Sequence, residues 1–184
     1  MATSTGILYV SEPFFAIEEW RTAILERGTA MPGVRVGDSA PDFTATTQDG
    51  NTVRLADYRG SQAVVLFFYP ADDTPVCTKE ACSFRDAYQA FRDAGAEVIG
   101  VSGDSAESHQ RFAGKHKLSY PLISDRDGSL RKAFGVPKLL GLFPGRTTYV
   151  IDREGIVRLA FTAAFSSEGH KREALAAVKR LPSP

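Results

Sequence analysis

The sequence predicts an α/β domain, a three-layer sandwich with a central mixed sheet and an N-terminal β-hairpin, and three observations carry that expectation. Ala63 to Phe68 is an unbroken apolar run, the pattern of a strand buried on both faces. Helical and strand patterns then alternate, which is the rhythm of βαβ units. A late pair of strand patterns flanks Asp152-Arg-Glu-Gly155, a turn that returns the chain antiparallel. A chain of 184 residues fits one domain and buries roughly 70% of its unfolded surface, so no disulfide or metal staple is needed to fold it.

Residues 1–33 read as an extension. Ser11 is a candidate cap with Pro13 in the first turn, Phe14, Ile17, Trp20 and Ile24 follow at three- and four-residue steps, and Gly28 stops the run, which predicts a helix over 12–27. Met31 is an alternative start. The domain proper is expected over 34–184. Phe43 to Thr47, a Gln-Asp-Gly-Asn turn and Thr52 to Leu55 form the hairpin. After the apolar strand comes a helix from about Thr74 to Ala94, then a strand over Glu97–Val101 and a helix that Ser105 opens and that runs to about Lys117. Pro121–Ser124 is a strand, Asp127–Phe134 a short helix, and Thr147–Ile151 with Ile156–Phe161 the late hairpin. A last helix spans about Ser167 to Leu181. Helices flanking strands buried on both faces make the expected sandwich thioredoxin-like.

Twenty-two basic residues balance twenty-two acidic ones, so no global field steers the chain toward nucleic acid or anionic membrane. The pairs Lys171-Arg172 and Lys179-Arg180 read as solvated helix faces. No apolar run approaches the ~20 residues that cross a bilayer. Glu12, Glu18 and Glu19 interrupt the N-terminal segment before any signal-peptide core, and the expected location is cytoplasmic. In a reducing compartment two cysteines are bystanders, metal ligands or redox groups rather than a permanent staple.

Those two cysteines lie in Tyr69-Pro-Ala-Asp-Asp-Thr-Pro-Val-Cys-Thr-Lys-Glu-Ala-Cys82. Thr74 is a favoured N-cap and Pro75 a favoured first helical residue, so Cys77 falls in the first turn among unpaired N–H groups. The positive end of the helix dipole favours a thiolate there. An ordinary thiol with pKa ~8.5 is only about 3% ionised at neutral pH, and lowering the pKa to roughly 6 needs about 3.4 kcal/mol. The dipole supplies about 0.3–1 kcal/mol. A cation or further donors must supply the rest if Cys77 is reactive. Five residues along a helix separate Cα atoms by roughly 8.6 Å, beyond the ~7 Å limit for a disulfide, so Cys77 and Cys82 either never bridge or bridge when the helix unwinds. A zinc site would need ligands that the three histidines and scattered acids of the chain do not visibly supply, and no metal or organic cofactor is expected.

At these residues the sequence resembles the peroxiredoxins, whose Pro-x-x-x-Thr/Ser-x-x-Cys signature is matched by Pro70, Thr74 and Cys77. Arg146-Thr-Thr-Tyr-Val-Ile-Asp152 resembles the family's arginine segment, and Gly37-Asp-Ser-Ala-Pro41-Asp-Phe43 its entry motif. Cys77 to Asp86, with the second cysteine five positions on, is similar to the peroxiredoxin Q or bacterioferritin comigratory protein branch. Gly135-Val-Pro137 and Leu142-Phe-Pro-Gly-Arg146 resemble that branch's photosynthetic members. Val76 departs from the glycine that many members carry, and the segment before Met31 has no counterpart in the family core.

The resemblance implies a thiol-dependent peroxidase acting on hydrogen peroxide and organic hydroperoxides. Cys77 would be peroxidatic and Cys82 resolving. Arg146 would supply the cation, Thr74 and the first-turn N–H groups would hold the peroxide oxygens, and Pro70 would shield the sulfur. Thioredoxin or a similar dithiol would reduce the Cys77–Cys82 bridge, and a pair within one subunit implies a monomer. Glu80 and Arg85 are candidates for orienting Arg146 or the helix. His109, His116 and His170 read as solvent-facing helix residues, and Asp72 and Asp73 as ordinary turn residues. Two other readings stay open: a disulfide oxidoreductase acting on protein thiols, and a thioredoxin-fold binding module with inert cysteines.

Overall fold

The apolar run becomes the middle strand of a five-stranded sheet because its residues alternate between two separate cores. In the computed structural model, which describes residues 33–139 and 141–182, β3 (Ala63–Phe68) is buried at every position. The helix expected at 12–27 lies outside the described residues. Val65 and Phe67 point into one core with Phe84, Phe91, Phe112, Tyr120 and Val178. Val64, Leu66 and Phe68 point into the other with Ile99, Phe134, Tyr149 and Val157. Period-two alternation with both faces apolar is what two covering layers require.

The sheet order is β5-β4-β3-β8-β9. β3 pairs parallel with β4 (Ala96–Ser102), which pairs parallel with β5 (Leu122–Ser124). On its other side β3 runs antiparallel to β8 (Thr147–Ile151), and β8 antiparallel to β9 (Val157–Thr162). The sheet is therefore mixed, as expected. One layer holds α1 (Pro75–Asp86), α2 (Tyr88–Asp93), α3 (Ala106–His116) and α5 (Ser167–Lys179). The opposite face is covered by α4 (Ser129–Ala133), by the 3₁₀ turn Leu55–Tyr58 and by the hairpin β1 (Thr44–Thr46) and β2 (Thr52–Arg54). Thr47 bridges to Ile123, and Gln48 exchanges hydrogen bonds with Leu122, so the hairpin end covers the β5 edge.

Two features differ from the sequence reading. The helix expected over Thr74–Ala94 breaks at Ala87, whose φ of −99° and ψ of 2° end α1. Ser83 Oγ donates to the Glu80 carbonyl at 2.9 Å, a back-bond that weakens and bends a helix. A short hairpin, β6 (Lys138–Leu139) with β7 (Phe143–Pro144), was not expected. Gly145 permits it: a Cβ there would stand 1.8 Å from the Pro137 carbonyl oxygen.

Register places the functional end of the molecule. Phe68 pairs with Thr147, so the loop leaving β3 and the residue preceding β8 meet at the same edge.

Candidate active site

Thr74 has the extended backbone of an N-cap and Pro75 follows in the first turn. The Thr74 hydroxyl does not cap the helix, however; it donates to the Ala71 carbonyl at 3.2 Å. The N–H groups of Val76 and Cys77 therefore keep their first-turn freedom, because no preceding helical carbonyl reaches them. Cys77 sits above that turn, 2% exposed, with its thiol free. Pro70 is half-buried in the loop between β3 and α1.

Arg146, expected from sequence beside the thiol, is there. Its Nη2 donates to Cys77 Sγ at 3.1 Å. Its Nη1 pairs with Glu80 Oε2 and its Nε donates to the Ala164 carbonyl at 3.4 Å. The guanidinium is thus fixed between α1 and the segment after β9, with one edge aimed at sulfur. Arg85, the other candidate partner, points elsewhere: it bonds Asp86 and the His116 carbonyl.

Glu80 is fully buried, and burial raises its carboxyl from an ordinary 4.5 to about 7 against the opposing pull of Arg146. Its Oε1 has no hydrogen-bond partner among the described residues and lies 3.6 Å from His170 Nδ1. A proton on that oxygen leaves the charge of Arg146 to the sulfur, and an ionised Glu80 competes for it. A carboxyl with a higher pKa folded than unfolded stabilises the fold most below its unfolded value, and the advantage disappears as pH rises to the folded value. The window here is pH 4.5 to about 7, worth about 3 kcal/mol. Glu80→Gln cannot titrate. Urea unfolding of wild type and Glu80→Gln between pH 4.5 and 8 is expected to show this decline in the wild type alone.

The histidines correct the sequence reading. His109 and His170 are fully buried, because each ring nitrogen meets a partner that sequence alone does not reveal. His170 Nε2 donates to the Ala163 carbonyl at 2.8 Å, so its Nδ1 accepts from Thr148 Oγ1 at 2.8 Å. Burial, with Arg146 adding to it, lowers this imidazole to about 4 and keeps it neutral beside the guanidinium. His109 Nε2 faces the Ile123 carbonyl at 3.2 Å, and its Nδ1 meets Asp72 Oδ2 at 2.9 Å. Asp72 is accordingly no ordinary turn residue. It is buried and also accepts from Tyr69 Oη and Ser108 Oγ, each at 2.8 Å. Burial raises its carboxyl, and the bonds from His109, Tyr69 and Ser108 more than reverse that, leaving it below the usual carboxylate range. This network fastens the Pro70–Thr74 loop to α3.

Arg131 is a site residue that the sequence reading missed. Its Nη1 donates to the Gly145 carbonyl at 2.7 Å and its Nη2 to the Tyr69 carbonyl at 2.8 Å. It clamps the start of the thiol loop to the residue before Arg146. Burial lowers its pKa, with Asp125 and the Cys77 sulfur opposing the shift. No local motif marks it; only the topology brings α4 to this edge.

The arrangement is a buried thiol at a helix N-terminus, a guanidinium in contact with the sulfur, and a second thiol on the same helix. The comparisons agree with it. Residues 36–160 match the AhpC/TSA family. The chain is 47% identical over 161 residues to the chloroplastic peroxiredoxin Q of Sedum lineare, covering 87% of this chain and 86% of that one. To the chloroplastic peroxiredoxin Q of Arabidopsis thaliana it is 51% identical over 154 residues, covering 83% and 71%. The crystal structure of peroxidoxin BcpB from Mycobacterium tuberculosis superposes with a TM-score of 0.75 at 39% identity, over 82% of this chain and 99% of that one.

The relatives' names overturn the expectation of a cytoplasmic location, since these curated proteins are called chloroplastic and point to a plastid. A thioredoxin-like fold, a thiol held against Arg146 and these relatives together place the chain in the AhpC/TSA family, in its peroxiredoxin Q group, as a thiol-dependent peroxidase that takes a peroxide substrate and a thioredoxin-type reductant.

Proposed function

We propose that Cys77 is the peroxidatic cysteine and Cys82 the resolving one, within a peroxidase domain over 34–184 that carries residues 1–33 as an extension. The contact of Arg146 Nη2 with Cys77 Sγ at 3.1 Å carries this reading. The guanidinium stabilises the thiolate, the first-turn N–H groups donate to the peroxide oxygens, and the Thr74 oxygen, whose own proton goes to the Ala71 carbonyl, accepts from the peroxide O–H while Pro70 excludes water. The thiolate attacks the terminal peroxide oxygen, the O–O bond breaks, and water or an alcohol leaves, with a sulfenic acid on Cys77. The start of α1 then unwinds. Cys82 attacks the sulfenic sulfur, water departs, and a dithiol of thioredoxin type reduces the bridge by exchange. Both thiols belong to one helix, which supports a monomer as the working unit, and the relatives' names support a plastid setting.

A sulfenic-acid trap such as dimedone tests the assignment. After one equivalent of peroxide, Cys82→Ser is expected to carry the adduct on Cys77, and Cys77→Ser to carry none on Cys82. An adduct on Cys82 in the second variant would reverse the roles.

A further inference from the structure

Resolution requires a thiolate at Cys82, and an unassisted thiol near pKa 8.5 is only about 3% ionised at neutral pH. Cys82 is half-buried on the side of α1 that meets α3. His116, the last residue of α3, holds Nδ1 4.0 Å from Cys82 Sγ. Its other nitrogen, Nε2, is buried, makes no hydrogen bond among the described residues, and lies 3.6 Å from Asp73 Oδ1. The Phe112 ring stands edge-on to the imidazole with centroids 4.9 Å apart, which fixes its plane. Nucleophile, base and orienting carboxylate thus follow one another in space, as in other activated nucleophiles.

We propose that His116 is the general base that deprotonates Cys82 for the resolution step, with the charge of Asp73, 3.6 Å from Nε2, favouring the Nε2–H form of the imidazole. Nδ1 is then the free acceptor beside the sulfur. Lys115 bonds Asp73 at 2.6 Å and keeps its carboxyl below the ordinary range, so the orienting charge is present. Arg85 donates to the His116 carbonyl at 2.7 Å and locks α1 to this end of α3. Its guanidinium is raised above its ordinary value first by the bond to Asp86 and also by the field of Cys82, so a cation stands near the forming thiolate.

The same contacts decide which sulfur travels. Tyr120 Oη donates to the Ala81 carbonyl at 2.8 Å in the core, whereas Thr74 and Pro75 are exposed. The half of α1 that bears Cys82 stays docked on His116 while the first turn carries Cys77 toward it. The proton of Cys82 passes to Nδ1, and the thiolate attacks the Cys77 sulfur. The S–S bond forms as the S–O bond breaks, and the departing hydroxide regains the proton from the imidazolium as water. Cys77 sulfur is reduced and Cys82 sulfur oxidised, with peroxide as the original oxidant.

This inference rests on Cys82 being the resolving thiol, so the test separates the two. In a Cys77→Ser background, His116→Gln is expected to slow alkylation of Cys82 by iodoacetamide about five- to tenfold near pH 7, the difference closing near pH 9.5 where any thiol is largely ionised. Asp73→Asn, on an exposed loop, is expected to slow it about two- to threefold under the same conditions. A merely structural His116 would loosen the helix contact and speed alkylation at both pH values. Equal or faster alkylation near pH 7, or one ratio at both pH values, overturns the role of His116. Absence of a Cys77–Cys82 bridge in peroxide-treated wild type overturns the resolving role beneath it.

Discussion

Exchange of Cys77 for serine is expected to abolish peroxide turnover, whereas Cys82→Ser completes one round and stalls. A serine hydroxyl in the pocket of Arg146 does not ionise near neutral pH, so the loss should exceed about a thousandfold, the scale set by removing a covalent nucleophile. Cys82→Ser keeps Cys77 and its contact with Arg146 and loses only the partner that would form the bridge. Its first sulfenic acid then persists, and excess peroxide drives it to sulfinic acid. Single-turnover and steady-state assays with thioredoxin distinguish the two. Sustained thioredoxin-dependent turnover by Cys77→Ser would remove the foundation of the proposed cycle.

Arg146→Met is expected to lower the rate of sulfenic acid formation about 10²- to 10³-fold, as loss of a preorganised charge donor does elsewhere. The helix dipole that remains is worth about 0.3–1 kcal/mol and does not replace the guanidinium. The substitution also strips fully buried Glu80 of its partner, and breaking a buried pair costs about 3–5 kcal/mol when the orphan stays charged. Arg146 is what holds the Glu80 carboxyl down to about 7, so in its absence Glu80 keeps its proton to higher pH, and the instability should be mild near pH 5 and grow as pH rises past 7. Adding Glu80→Gln should restore stability near pH 8 without restoring the rate. Recovery of both in the double variant would mean that Arg146 serves the fold rather than the sulfur.

The local chemistry of the thiol turn was readable because it resides in short-range rules: Thr-Pro before a helix, Cys77 in its first turn, and a spacing that forbids a bridge in the intact helix. Thr74 shows the limit of such rules, since it occupies the N-cap position while its hydroxyl turns to the Ala71 carbonyl. β3 was legible because every residue in it is apolar, whereas β6 and β7 are two-residue strands too short for any period to show. The buried histidines were misread for a different reason. A helix pattern reveals which residues share a face, but the Ile123 and Ala163 carbonyls that receive His109 and His170 come from distant strands and loops. Arg131 escaped notice in the same way. Its partners, Tyr69 and Gly145, are 62 and 14 positions away in the chain, and only the meeting of β3 with β8 brings them together.

The central claim is that α1 must be helical to present Cys77 to peroxide and must partly unwind for the two thiols to meet. Both thiols are free in the folded helix. Intact mass spectrometry after one equivalent of peroxide, paired with far-ultraviolet circular dichroism, tests this most directly. The account predicts a monomer lighter by two hydrogens, with helical signal lost on oxidation and regained on reduction by a dithiol. A monomer that instead gains one oxygen and keeps its helix, or a disulfide joining two chains, would contradict it.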